Sequence, residues 1–211
     1  EVRGRKGPAS LLFGRDARGG GIEVLPPVTP ILNGLAGEAV LLGKTVNGTL
    51  GGSLMLGWKR GAWYVKGRYS EQRYGDYRVP TDTVVYLTQK MPVYGRRLKN
   101  TAGVERNASL FSAYARGNYR MNVALSNAYQ KMGFFAGAHG VPDLARVQDD
   151  GDSRNIDLPF SRVNHLKLTT HQELFGERFI LSGDFGWQYN HRAEWSAFHT
   201  HYDTQPLPER D

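Results

Sequence analysis

Phe179-Ile180-Leu181-Ser182-Gly183-Asp184-Phe185-Gly186-Trp187-Gln188-Tyr189-Asn190 is the stretch whose pattern decides the fold. Phe179, Leu181, Phe185, Trp187 and Tyr189 share one parity, with Gly183 among them. Ser182, Asp184, Gln188 and Asn190 share the other, and Ile180 is the exception. Alternation with period two puts successive side chains on opposite faces of a β-strand, here one apolar and one polar. The same pattern recurs upstream. Leu166 and Leu168 alternate with His165, Lys167, Thr169 and His171. Tyr119, Met121, Val123 and Leu125 alternate with Arg120, Asn122 and Ser126. Trp63, Val65 and Tyr69 alternate with Tyr64, Lys66, Arg68 and Ser70, and Leu54, Leu56 and Trp58 with Ser53, Met55 and Lys59. Residues 105–115 look extended, with ambiguous facing. Helical periodicity is hard to find, so the expectation is an all-β chain.

Two architectures produce such strands. A soluble sandwich turns the apolar face into a core. A transmembrane barrel turns it toward lipid, with aromatics near both interfaces and polar residues inside. Spanning strands need ~9–11 residues, against ~5–6 for an ordinary soluble strand, and these are of the longer kind. Trp63, Tyr69, Tyr119, Tyr129, Trp187 and Tyr189 are expected near strand ends, and the apolar residues named above have no Lys or Arg among them. Connections alternate in length. Arg60-Gly61-Ala62, Arg116-Gly117-Asn118 and Phe175-Gly176-Glu177-Arg178 are tight turns, whereas residues 71–103 and 131–162 are long segments. With a short first loop near Val46-Asn47-Gly48, the pattern predicts about seven antiparallel strands of a membrane barrel.

The N-terminal part is different in kind. Gly7-Pro8 is a turn signal, because glycine permits positive φ and proline locks its own φ at a negative value. Gly19, Gly20 and Gly21 allow positive φ and close approach of the backbone to another surface. Ile22, Val24 and Leu25 suit a short strand, which Pro26, Pro27 and Pro30 end in a stiff connector. No Gly-Lys-Ser/Thr follows at phosphate-loop spacing, so the glycines do not read as a phosphate loop.

The string Lys6-Gly7-Pro8-Ala9-Ser10-Leu11-Leu12-Phe13-Gly14, then Gly19-Gly20-Gly21-Ile22-Glu23-Val24, resembles the end of the plug domain of TonB-dependent outer-membrane receptors. That family reads Arg-Gly-Pro, small or apolar residues, an aromatic-Gly, about four residues, Gly-Gly and a β-rich run. Lys6, Phe13 and Glu23 stand where Arg, Tyr and Asn are usual. Arg3-Gly4-Arg5 makes the link after Glu1-Val2 longer than the family's. The plug motif residues are Lys6, Gly7, Pro8, Phe13, Gly14, Gly19 and Gly20, about one eighth of the chain being covered.

The resemblance implies residues 1–35 as the end of a plug and its connector, and 36–211 as the first strands of a barrel of about twenty-two. It implies a fragment of a longer protein, with targeting information upstream and further strands beyond Asp211. Both long segments, 71–103 and 131–162, would then be extracellular. The implied activity is energised uptake across a Gram-negative outer membrane. Its partners would be the TonB complex, outer-membrane lipid and a large scarce ligand. That ligand would be a ferric siderophore first, then haem or cobalamin, then oligosaccharide. No cofactor and no enzymatic chemistry is implied. The alternative from another class is a non-transporting surface barrel, such as an adhesin.

Composition agrees with an envelope protein without proving one. The 211 residues contain no cysteine, which excludes disulfides and thiolate metal sites. No apolar run approaches the ~20 residues of a spanning helix. Net charge is +7, but Lys and Arg are scattered and no nucleic-acid motif occurs, so nucleic acid is not expected as a partner. Lys66, Arg68, Arg120 and Lys167 suit either anionic ligands or pairing with plug carboxylates such as Asp16 or Glu23. All six histidines, His139, His165, His171, His191, His199 and His201, lie in the C-terminal part. The ligand-binding candidates are His139, His191, His199 and His201, since imidazole binds transition metals and haem iron. Tyr74 and Tyr77 join them for stacking on a large polar ligand. No metal site of the protein's own is expected. HExxH is absent, and Asp149-Asp150-Gly151-Asp152 lacks the late glutamate of a calcium loop.

Overall fold

The computed structural model describes residues 2–6, 20–24, 28–86, 88–135, 147–148 and 150–196, divided into two units, 1–33 and 34–211. In the first, β1 (Val2–Lys6) pairs antiparallel with β2 (Gly20–Val24), from Val2 opposite Val24 to Lys6 opposite Gly20. Arg3, Gly4 and Arg5 are strand residues facing Glu23, Ile22 and Gly21, so the extra residues before the motif lengthen a strand. Gly20 and Gly21 belong to the extended ladder and do not form a tight turn. Gly7, Pro8, Phe13, Gly14 and Gly19 lie outside the described residues.

The second unit is one antiparallel sheet of seven long strands. They are β3 (Gly34–Lys44), β4 (Thr49–Arg60), β5 (Trp63–Tyr74), β10 (Gly103–Arg116), β11 (Tyr119–Gly133), β12 (Phe160–Phe175) and β13 (Ile180–Trp195). Each lies beside the long strand that precedes and follows it, in the order β3-β4-β5-β10-β11-β12-β13. Connections 61–62, 117–118 and 176–179 close one end, and positive φ at Gly61 and Gly117 makes the two tightest possible. Connections 45–48, 75–102 and 134–159 gather at the other. The chain is thus all-β with a seven-stranded antiparallel sheet, as the alternation predicts. Among the described residues the one helical element is a 3-10 turn at Tyr94–Arg96. Among the described residues no helix is long and apolar enough to cross a membrane, which says nothing of strands.

Register sorts the side chains into two faces. A row across the middle of one face runs Gly37, Leu56, Gly67, Leu110, Leu125, Leu168, Trp187. The neighbouring row on the other face runs Glu38, Met55, Arg68, Ser109, Ser126, Lys167, Gln188. Exposure is inverted relative to a soluble core. Trp63, on the apolar face, is 44% exposed, and its neighbour Tyr64, on the polar face, is 6% exposed. The ambiguity of residues 105–115 has a physical source. Phe111 and Ala113 are apolar but lie on the polar face, buried with Tyr64 and Ala124 near the short-turn end. Tyr64 and Phe111 meet edge to face at 6.2 Å.

β13 continues to Trp195, five residues past the alternating stretch, so Trp187 falls at mid-strand and not near a strand end. Trp63, Tyr114 and Tyr119 do cluster near the short-turn end, with centroids 4.7 and 6.2 Å apart along the series. The long connections are shorter than the sequence suggests, because β5 and β11 run on to Tyr74 and Gly133. They also hold structure. β6 (Tyr77–Arg78) pairs with β9 (Arg97–Leu98), and β7 (Thr83–Tyr86) with β8 (Gln89–Pro92). Met91, Val93, Phe135 and Val147 form a small buried core there, flanked by Val79, Val84 and Leu98.

Candidate functional site

The polar face and the loop layer above it form the candidate site. Midway up that face, Arg68 Nη2 donates to Glu38 at 2.7 Å and Nη1 to Ser53 at 3.0 Å. Closer to the loop layer, Glu105 accepts from Gln72 at 2.6 Å and from Gln130 at 3.1 Å. These three residues sit side by side on β5, β10 and β11 because cross-strand partners share a face. At the opposite end His171 Nδ1 lies 2.8 Å from Asp184, and Arg120 stacks 4.8 Å over Phe175. The Nε2 of His165 is buried without a partner. Such a face offers hydrogen-bond donors, acceptors and charge. Among the described residues no group of three or more His, Asp or Glu is placed to hold a metal ion.

Two buried polar side chains tie the loop layer to the strands. Asn100 is 2% exposed; its Nδ2 donates to the carbonyls of Phe134 and Pro159, and its Oδ1 accepts from the Asp157 N–H. It sits at φ 63, a conformation asparagine tolerates better than most residues. Gly133 must lack a side chain here, since a Cβ would meet Asn100 atoms at 2.5 Å. Asp76, 3% exposed, accepts the backbone N–H groups of Thr101 and Ala102 at 2.8 and 3.1 Å. Burial pushes its carboxyl up to about 6, with those two N–H bonds opposing.

Asp150 is the reverse case. The Asn155 amide, the Asp152 N–H and Lys99 at 3.0 Å hold it down to about 2. Its oxygens are thus engaged within the loop, and Asp149 lies outside the described residues. Arg154 reaches from the second long connection to the Gly48 carbonyl at 2.6 Å, joining it to the first turn.

Of the predicted ligand contacts, Tyr74 and Tyr77 come together, with ring centroids 6.3 Å apart. Tyr74 is buried at the end of β5, its ring over Gly103, and Tyr77 is exposed in the loop layer. His191 lies on the apolar face opposite Asn164, so it does not share a surface with Tyr74. His139, His199 and His201 lie outside the described residues. Asp76, Asn100 and Glu105 did not stand out in the sequence. The one available signal for Asp76 was its place in the aromatic-rich Tyr74-Gly75-Asp76-Tyr77. Comparison with protein-family models, with curated proteins and with solved structures gave no match.

Proposed function

We propose that this chain is the end of a plug followed by the first seven strands of a TonB-dependent outer-membrane receptor. It would import a scarce large ligand, a ferric siderophore before haem or cobalamin. The observation that carries the membrane part is the inverted sheet. Leu54, Leu56, Trp58, Leu110, Leu125, Phe185 and Trp187 are exposed on one face, and the other face bears the ion pair, the amide–carboxylate ladder and the lysines. A soluble domain seldom exposes so wide an apolar patch.

The dimensions agree. The nine residues Leu181–Tyr189 measure roughly 26 Å along the strand, or about 20 Å across a layer at ~40° tilt, near the ~25 Å apolar band of such barrels. In lipid, β3 and β13 are edges whose unpaired backbone groups would cost several kcal/mol each, which favours a larger closed barrel. The plug assignment rests on the Lys6–Val24 resemblance, and β1 paired with β2 is compatible with it. A plug before the first strand favours transport over an adhesin. In this reading the long connections are extracellular and the polar face lines the lumen.

The test is made on the full-length protein in a Gram-negative host. The chain lacks cysteine, so single cysteines at Asp82 and Asn118 report topology cleanly. An impermeant thiol reagent on intact cells should label position 82 and not 118; the opposite result reverses the orientation. Uptake of ferric siderophores should cease when the TonB complex is deleted. Outer-membrane protein with TonB-independent phenotypes would leave the adhesin reading, and protein recovered in the soluble fraction would sink both.

A further inference from the structure

We propose that the apolar face carries, at its long-connection rim, a docking surface for a membrane lipid with a phosphorylated headgroup; this rests on the membrane reading above. The apolar face changes character at that rim. Across its middle it bears no charge. Toward the loop layer it bears Arg73, Arg106, Lys131 and Arg162, on β5, β10, β11 and β12. Among the described strand residues the only carboxylate on this face is Glu71. It accepts from Arg73 Nε at 2.8 Å and Arg106 Nε at 3.3 Å, so these two cations are partly neutralised.

Lys131 and Arg162 have no such partner among the described residues. Register sets them directly opposite one another, where like charges destabilise a sheet. What holds them is aromatic. Lys131 Nζ lies 4.5 Å from the Phe160 centroid, Arg162 Cζ 5.0 Å from that of Trp195, and the two rings stack at 4.7 Å. Sheet stability does not account for two adjacent cations on an apolar face. An anion between them does. Arginine's planar fork matches phosphate oxygens in pairs, and lysine adds a point charge.

The occupant is a lipid because of what adjoins the cations. An open groove of about 470 Å³ runs beside Tyr69, Arg106, Tyr129, Arg162, Asn164 and His191. One step further along the face come Leu166 and Tyr189 and then the apolar middle. A headgroup phosphate at Lys131 and Arg162 therefore continues into chains lying on the band. A free anion would use only the cations, and a soluble protein partner would leave the apolar band uncovered.

The experiment uses full-length protein in phosphatidylcholine nanodiscs doped with cardiolipin, a lipid with two phosphates, and native mass spectrometry to count retained cardiolipin. Wild type should enrich it over phosphatidylcholine. Lys131→Gln with Arg162→Gln should reduce enrichment by roughly ten- to thirty-fold, at ~1 kcal/mol per basic residue near the headgroups. Lys131→Arg with Arg162→Lys should keep it. Lys66→Gln with Lys167→Gln, the same charge loss on the polar face, should change nothing. Enrichment surviving the rim double variant, or lost equally in the polar-face control, overturns the proposal. So does displacement by excess inorganic phosphate, which would mark a free-anion site. Wild type that never enters the nanodisc defeats the membrane reading itself, and is scored separately by incorporation.

Discussion

Two rows of residues, one step apart along the same seven strands, have opposite surroundings. Gly37, Leu56, Gly67, Leu110, Leu125, Leu168 and Trp187 carry no polar group beyond the Trp187 indole, and Leu56, Leu110, Leu125 and Trp187 are exposed. Glu38, Met55, Arg68, Ser109, Ser126, Lys167 and Gln188 carry three charges, and Met55, Arg68 and Ser126 are half-buried. Above them, Asp76 and Asn100 are almost wholly buried. Water as the solvent of both faces would select the reverse arrangement. The contrast is what a non-aqueous neighbour on the apolar face, as proposed above, would produce, while side-chain pairing and the loop layer cover polar groups such as Asp76 and Asn100.

The largest expected effect comes from putting a charge into the apolar row. Leu110→Arg on β10 should cost ~2–4 kcal/mol if Leu110 faces the middle of a bilayer. Asn107→Arg lies on the same strand but on the polar face, opposite uncharged Ser70 and Ala128, and should cost little. Folded protein in the membrane fraction and urea titration of the purified full-length protein measure both. Equal costs, or the larger cost at Asn107, would break the contrast between the faces.

Much of this contrast was legible in the sequence, because a strand's period is short and local. β5, β11, β12 and β13 are written in runs such as Tyr119-Arg120-Met121-Asn122-Val123. β10 was not, since Phe111 and Ala113 put apolar groups on the polar face to pack against Tyr64. Even the parity of His191 was readable, as it follows Phe185, Trp187 and Tyr189 by twos and shares their face. The loop layer was opaque for another reason. Its bonds join residues far apart, 57 positions from Asn100 to Asp157 and 106 from Gly48 to Arg154, and no local pattern encodes such pairs. The plug motif supplied a family resemblance but not the β1–β2 ladder, because Arg3-Gly4-Arg5 looks like a linker until it is paired.

A middle-sized effect sharpens how well the polar groups are covered. Asp76 titrates near 6 in the folded layer against 3.8 when free, mainly from burial. The folded layer therefore binds the proton more tightly, and its stability falls as pH rises from about 4 to about 6. The loss is on the order of 3 kcal/mol at most, fully present above pH 6. Asp150, held down to about 2, acts in a separate window: its contribution is present above pH 4 and fades as pH falls toward 2. Hydrogen exchange at the Thr101 and Ala102 amides, corrected for intrinsic rates, should show greater protection at pH 4.5 than at 6.5. Asp76→Asn, which resembles the protonated form, should flatten that dependence. Identical protection at both pH values in wild type would mean that Asp76 is hydrated.

The smallest effect tests the contrast most directly. Arg68 and Glu38 form a 2.7 Å pair on the polar face, with side chains 37% and 50% exposed. If that face meets water, the pair is worth ~0–1 kcal/mol, because solvent screens both partners and holding two long side chains costs entropy. Arg68→Ala should then lower stability by less than about 1 kcal/mol, and Glu38 simply hydrates. If the polar face instead met lipid, removing Arg68 would leave Glu38 charged and uncompensated there, and several kcal/mol would be lost. Urea unfolding of the full-length protein in detergent resolves the two cases. The double replacement of Arg68 and Glu38 by Ala adds a check, since a hydrated pair predicts nearly additive effects. A loss above ~2 kcal/mol for Arg68→Ala, restored by the double variant, would reverse the assignment of the faces.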